Sequence, residues 1–397
     1  MKIIVFDGSF KTTPFINRLA KGLVQDHQVY VLGFNERLNK PIADVEYVAL
    51  GSNQNNMRLI KTTVKKIVLT KKWNLFFSTL KDLMTGKKRD LQQQNLNIEI
   101  QRINPDVIHL QWPALLPWVE NILLKQTPPV LLSQRGFHNL VRPSIDKSNA
   151  SYLKKWFPKV KGFHSVSQAI STQSNHIWTA PNKLDQVIYT GLPMQKIYFD
   201  SSYIKQPYLQ LLSVGRPHWV KGYDYALQAC KLLKEQGVDF QYTIIGGKGD
   251  EELNYMIHEL KLQDLIILQN RMSQTDVYTH MKQASILIVS SVEEGLPNVI
   301  VEAMAVGLPV ISTNCGGVSE VIEHGVNGWM IPIRNPRAMA EEIINVSNLP
   351  ENEIETIRIA ARKKVEKQHN EAQMIDGMIS LYKAILEKPT ESMDREE

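Results

Sequence analysis

The sequence predicts an α/β chain of two domains, each built on a parallel sheet wound with crossover helices. Two observations predict this. Short apolar segments rich in Val and Ile alternate with segments of helical period in both halves, the pattern of strands joined by helices across a sheet. The length, 397 residues, is too great for one core of ordinary size when a domain takes roughly 100–200 residues.

In chain order, the first half offers strands at 2–6, 28–33, 45–50, 107–111, 130–133, 162–167 and 186–190. The second offers strands at 209–214, 241–246, 265–268, 286–290 and 310–313. Between the sets, Gly191-Leu192-Pro193 opens a polar, Pro-containing stretch to Pro207 that reads as a hinge, giving expected domains 1–200 and 201–388. The acidic stretch 389–397 has no periodicity and reads as a disordered tail.

Composition narrows the class. Hydrophobic residues at 43% and charged residues at 22% are ordinary for a soluble globular protein. The start, Met1-Lys2-Ile3-Ile4-Val5-Phe6-Asp7-Gly8, reaches an acid and a turn too early for a secretory signal, so it reads as a strand. No run approaches the roughly 18–20 apolar residues of a membrane span. Cys230 and Cys315 make neither a disulfide framework nor a CxxC metal spacing, which fits a cytoplasmic setting.

The net charge of +6 is concentrated. From Arg58 to Arg89 there are ten basic residues (Arg58, Lys61, Lys65, Lys66, Lys71, Lys72, Lys81, Lys87, Lys88, Arg89) against one acid, Asp82, a balance of +9. Apolar Leu59, Ile60, Val64, Ile67 and Val68 recur there at helical spacing, followed by Trp73, Leu75, Phe76 and Phe77. The segment 57–89 has the composition of an interfacial helix drawn to anionic lipid, which would make the chain peripheral at the inner face of the cell membrane. It equally fits a polyanionic acceptor, or a helix packed on the first sheet with its lysines in water; nucleic acid is the least favoured partner.

Chemistry concentrates in Ser291-Val292-Glu293-Glu294-Gly295-Leu296-Pro297-Asn298-Val299-Ile300-Val301-Glu302-Ala303-Met304-Ala305. A strand ends in serines, a turn follows, and a helix opens near Pro297, where proline suits the first turn. Amides at that helix start favour a phosphate above Gly295 and Leu296. Glu302, one turn in, is placed to accept ribose hydroxyls, and Glu294 to bind hydroxyls of a sugar beyond the phosphate. Earlier, Gly215-Arg216 and Lys221-Gly222 supply a planar fork and a point charge suited to a diphosphate. Gly246-Gly247-Lys248-Gly249 follows a strand, but Glu252 stands where a dinucleotide fingerprint needs glycine, and no GxxxxGK[ST] occurs.

These residues resemble the donor-site signature of glycosyltransferase family 4, with Glu294-Gly295-Leu296-Pro297-Asn298 and Glu302-Ala303-Met304-Ala305 near-verbatim and Gly307-Leu308-Pro309, Gly316-Gly317, Glu320 and Asn327-Gly328 following in order. The resemblance covers about 208–385 and implies a GT-B fold, two Rossmann-like domains facing each other across a cleft. It implies a retaining hexosyltransferase of polysaccharide biosynthesis with a nucleotide-sugar donor and a glycan or lipid-linked acceptor. No cofactor and no essential metal is implied, and the chain has no Asp-x-Asp motif to hold a metal. Arg216 and Lys221 would contact the diphosphate, Glu302 the ribose and Glu294 the transferred sugar, with Gly246 and Gly247 near the base. The first half matches more loosely. Gly8 and Ser9 stand where the family carries a glycine-rich loop, and Arg135 takes the place where many relatives present a catalytic histidine, with His138 further along the loop. Two other functions stay open on the sequence: a nucleotide-sugar epimerase needing no acceptor, and a non-catalytic sugar-nucleotide binding module.

Overall fold

The computed structural model describes residues 1–34, 38, 41–71, 73, 79 and 86–387. The chain divides into two compact units: Met1–Val166 with Ser171–Ile188 and the chain from Met374 onward, and Ser167–Ile170 with Tyr189–Gln373.

The first unit holds a seven-stranded sheet in the order β3-β2-β1-β4-β5-β6-β7, and every pairing in it is parallel. Its strands are β1 (Lys2–Gly8), β2 (Gln28–Gly33), β3 (Val45–Ala49), β4 (Val107–Leu110), β5 (Val130–Gln134), β6 (Gly162–Ser165) and β7 (Asp185–Val187). Helices α1 (Pro14–Leu23), α2 (Asn56–Thr70) and α3 (Lys88–Ile103) connect the early strands. Apolar residues alternate across β1 because side chains on a strand point to opposite faces. Ile4 and Phe6 join one core, Ile3 and Val5 the other, so both faces of the sheet are covered.

The second unit holds six parallel strands in the order β10-β9-β8-β11-β12-β13. These are β8 (Leu209–Val214), β9 (Phe240–Ile245), β10 (Ile266–Gln269), β11 (Ile286–Val289), β12 (Val310–Thr313) and β13 (Trp329–Ile331). They are connected and covered by α5 (Tyr223–Glu235), α6 (Glu251–Glu259), α7 (Gln274–Gln283), α8 (Asn298–Val306), α9 (Pro336–Asn348) and α10 (Glu351–Gln368), while α4 (Gln168–Ile177) contributes its first turn to this unit and the rest to the first. Along β11, Ile286 and Ile288 enter one core while Leu287 and Val289 enter the other.

Two features depart from the sequence expectation. β13 is an edge strand of three residues, too short to show an alternation, and it is fixed by pairing with β12 from Ile311↔Trp329 to Thr313↔Ile331. The division falls at Tyr189 rather than near 200, and the last helix, α11 (Glu371–Glu387), returns to the first unit. Met374, Met378, Leu381, Tyr382 and Ile385 recur on one helical face and pack with Ile3, Val5 and Leu131. A linear reading cannot see that return, because the helix's partners lie between about 240 and 380 residues earlier. The expected tail 389–397 lies outside the described residues, as does most of 72–85 in the basic segment.

Candidate functional site

An open parallel sheet has one place where neighbouring strands wind away in opposite directions, and ligands gather beyond the carboxyl ends of the strands there. In the second sheet that place lies between β8 and β11, and in the first between β1 and β4. The sequence-picked residues fall at these two places.

In the second unit, the chain leaves β8 through Gly215 and exposed Arg216 and makes a short 3-10 turn, Trp219–Lys221. Gly222, at φ +58°, turns it into α5, and a β-carbon there would lie 2.2 Å from the Ser290 carbonyl oxygen, so only glycine lets the two loops touch. Val292 N donates to Val220 O at 2.7 Å and Ser290 Oγ to Lys221 O at 2.8 Å, joining the turn to the end of β11. The result delivers Lys221 to Glu294: Nζ donates to Oε1 at 2.5 Å, and Ser291 Oγ donates to the same oxygen at 2.9 Å. One ammonium proton is engaged, leaving two for a phosphate oxygen.

The loop carrying Glu294 is held from its other side. Gly316, at φ +51°, would put a β-carbon 1.7 Å from Glu294 O, and Gly317 N donates to Gly295 O at 3.0 Å. Ser167 Oγ donates to the same Gly295 oxygen at 2.8 Å, so that carbonyl is satisfied within the protein. Beyond Leu296, α8 starts after Pro297 with no side-chain cap, which keeps its dipole end available to an anion. Glu302 is half-buried on α8 and accepts from Gln274 Nε2 of α7 at 2.7 Å. Gly246 backs onto the β8 loop, a β-carbon there lying 2.9 Å from Gly215 O, which sets the Gly246-Gly247 turn against the backbone of Arg216. Burial pushes the Glu293 carboxyl above its ordinary range.

In the first unit, Gly8 and Ser9 close the turn after β1, with Lys11 N donating to Ser9 Oγ at 3.0 Å. Asp7 accepts from Trp112 Nε1 at 2.9 Å. Arg135, after β5, folds over aromatic rings, its guanidinium 4.1 Å from the Phe15 ring centre and 5.1 Å from that of Trp112, and it donates to Gln111 Oε1. Desolvation lowers the Arg135 pKa to about 9 against the opposing pull of Asp7, and desolvation raises Asp7. Arg135 Nε, Gln111 Nε2 and Gln134 Nε2 are buried without a partner. His138 sits in the turn Phe137–Leu140, lowered by burial and by Arg142.

Beneath Arg135 runs a buried chain of hydrogen bonds whose direction is determined. His164 Nε2 faces Ile188 O at 2.9 Å and must donate, because a carbonyl only accepts. Desolvation lowers His164 to about 3, so the ring is neutral and its Nδ1 accepts from Ser133 Oγ at 2.7 Å. Ser133 Oγ then accepts from His109 Nε2 at 2.7 Å, and His109 Nδ1 accepts from Tyr382 Oη at 2.8 Å. Phe15 stacks on His164 at 5.5 Å on one side and carries Arg135 on the other.

The structure thus brings Arg216, Lys221, Gly246, Glu294, Gly295, Leu296 and Glu302 to one end of the second sheet, and Gly8, Ser9, Arg135 and His138 to loops of the first. Sequence reasoning gave no role to Gln274, Ser291 or Ser167. Ser291 stands inside the motif and carries the signal of a strand ending in hydroxyls. Gln274, 28 residues before Glu302, carries none.

Residues 194–364 match the family model of glycosyl transferases group 1. Over 184 residues the chain is 34% identical to the putative colanic acid biosynthesis glycosyltransferase WcaL of Escherichia coli (strain K12), covering 45% of each chain. Over 175 residues it is 37% identical to the amylovoran biosynthesis glycosyltransferase AmsK of Erwinia amylovora, covering 42% of each. The matches span less than half the length of these curated relatives. The crystal structure of Anabaena HepE in complex with UDP-glucose superposes with a TM-score of 0.72 at 17% identity, over 97% of this chain and 100% of that one. The fold is that of GT-B structures, two Rossmann-like α/β units of seven and six parallel strands.

Proposed function

We propose, from a chain whose residues 194–364 carry a glycosyl transferases group 1 domain, that it is a retaining, metal-independent hexosyltransferase. It moves a sugar from a nucleotide-diphosphate sugar to a glycan or lipid-linked acceptor in cell-envelope polysaccharide assembly, on the cytoplasmic side of the membrane. The observation that carries the reading is the Lys221–Glu294 pair at the switch point of the second sheet, joined by Ser291 and closed by Gly222 and Gly316. The names of the colanic acid and amylovoran relatives support the setting, and the UDP-glucose held by HepE supports a nucleotide-sugar donor.

The chemistry follows from where charge grows. As the glycosidic bond breaks, negative charge develops on the leaving diphosphate, and Arg216, Lys221 and the start of α8 are the groups that receive it. Glu302 takes the ribose hydroxyls and Glu294 the hydroxyls of the transferred sugar. Arg135 acts toward that sugar, and the leaving phosphate takes the acceptor's proton on the same face. An epimerase would change the donor without an acceptor, and a binding module would hold it unchanged.

A thermal-shift panel of nucleoside diphosphates and nucleotide sugars tests the reading, on the wild type and on Arg216→Ala and Glu302→Ala. Ligand binding to the folded state raises Tm by mass action, so one nucleotide is expected to give a rise that both variants lose. Well-folded protein with no rise from any nucleotide overturns the donor site. Sugar transfer that appears only when an acceptor glycan or lipid is added separates the transferase from the epimerase.

A further inference from the structure

The segment 57–89 left three partners open on sequence, and the described part of it now bears on the choice. Helix α2 has fifteen residues, NMRLIKTTVKKIVLT, without an acid among them. Leu59, Thr63, Lys66 and Ile67 point inward, and Leu59 and Ile67 bury their side chains. The nearby acids are consumed on that inner side: Lys66 pairs with Glu99, and Arg102 bridges Glu99 at 2.6 Å and Glu46 at 2.5 Å. The opposite face keeps Arg58, Lys61 and Lys65 in solvent. Among these cations stand large apolar side chains that face water: Met57 at 74% exposure, Leu69 at 70%, Val68 at 47% and Val64 at 39%, with Trp73 at 58% just beyond the helix. At 100° per residue, Met57, Val64 and Val68 form one stripe, flanked by Lys61 and Lys65.

We propose that this outward face of α2 docks on an anionic lipid bilayer, the helix lying in the plane of the interface. Charge complementarity requires an anionic partner, and the apolar stripe decides which kind. Against nucleic acid or a soluble polyanionic glycan, Met57, Val64, Val68 and Leu69 stay in water, whereas headgroups take the lysines while the acyl boundary takes the stripe. No helix of the described residues is long and apolar enough to cross a membrane, so attachment through this helix is by its surface. The inference stands independently of the catalytic reading, since it uses no residue of the sugar-nucleotide site.

The test is sedimentation of the full chain with vesicles of phosphatidylcholine alone or with roughly 30% phosphatidylglycerol, which gives the surface a negative potential. The wild type is expected to partition to the anionic vesicles and to be released by high salt. K61E/K65E is expected to lose at least about thirtyfold in partitioning, at roughly fivefold for each lysine lost near the surface. V68S/L69S, which keeps every charge, is expected to lose partitioning as well. All four positions are exposed, so unchanged Tm confirms folding. Wild type that binds neither vesicle, or K61E/K65E that binds like wild type, overturns the proposal. V68S/L69S binding undiminished also overturns it, because the face is then a dock for any polyanion.

Discussion

The two switch points use charge in opposite ways. In the second unit Lys221 and Glu294 meet in a half-open loop cluster, their side chains 28% and 16% exposed, with hydrogen-bonding capacity left toward solvent. In the first unit Arg135 is folded over Phe15 and Trp112 beside a desolvated Asp7, and three buried donors go unpartnered. The second arrangement leaves its charges open to solvent. The first holds a cation in a fixed pose on aromatic rings, supported from below by two neutral histidines. The difference teaches that motif strength follows backbone contact. The second site is legible because glycines and a proline must stand at set positions for loops to touch, while the first depends on side-chain stacking that many sequences satisfy.

The largest effect expected from this comparison is at Gly316. A β-carbon there meets Glu294 O at 1.7 Å, and the residue sits at φ +51°. Gly316→Ala is expected to cost about 2–5 kcal/mol, from left-handed strain of about 1–3 and overpacking of similar size. Denaturant unfolding measures the cost, and the nucleotide-induced rise in Tm is expected to vanish with it. An alanine variant of native stability and native nucleotide response would show that the loop pair does not define the site.

Next in size is the contrast between the two cations. If Lys221 meets the leaving diphosphate as proposed, Lys221→Met is expected to lower kcat by about 10²–10³, the scale of removing one preorganised donor. Arg135→Lys keeps its charge but loses the planar stack on Phe15, and a fall of about tenfold is expected with the nucleotide-induced rise in Tm unchanged. Equal losses of nucleotide binding in both variants would erase the distinction between the two regions.

Acid separates the units as well. Burial lowers His164 to about 3 and His109 well below its ordinary 6.5, so both are neutral in the folded chain. A base whose folded pKa is depressed leaves stability intact above the unfolded value and loses it as pH falls below about 6.5, down toward the folded pKa. At pH 5 His164 costs about 2 kcal/mol, from 1.36 kcal/mol per pH unit below 6.5, and His109 acts in the same direction. The second unit contains one comparable group, His369, lowered to about 4 by burial. Hydrogen exchange from pH 7 to 5 is therefore expected to loosen β4, β5 and β6 before β8 and β11. Uniform loosening would mean that the histidine chain does not set the acid response.

What the sequence made readable has a common physical basis. The central strands of both sheets were visible because they are buried on two faces and so read as runs of Val, Ile and Leu, as in Ile286 to Val289. The loop cluster of the second unit was visible because Gly222, Gly316 and Pro297 answer backbone constraints, and the resemblance named them with Glu294 and Glu302. The return of α11, the strand Trp329–Ile331, the stacking of Arg135 and the chain from Tyr382 to Ile188 were not readable. Each depends on partners brought together only by the folded sheet, such as Tyr382 beside His109 across 273 positions. The basic segment shows a mixed case: its periodicity was visible, but the five apolar residues split, Leu59 and Ile67 inward, Val64 and Val68 outward, and Ile60 half-buried.

The smallest expected effect sharpens the comparison where the sequence was silent. Gln274 reaches Glu302 from α7, its Nε2 donating to Glu302 Oε1 at 2.7 Å and holding that carboxylate oxygen in place. Gln274→Ala leaves the charge of Glu302 in place but removes its orientation, so donor affinity is expected to fall about fivefold, close to 1 kcal/mol, with Tm of the unliganded chain unchanged. The decisive readout is selectivity. If Glu302 receives the ribose hydroxyls, the wild type prefers a ribonucleoside diphosphate over its deoxyribose counterpart, and Gln274→Ala narrows that preference while Lys221→Met weakens both nucleotides alike. A preference that Gln274→Ala leaves untouched would detach Glu302 from the ribose and leave α8 to serve the phosphates alone.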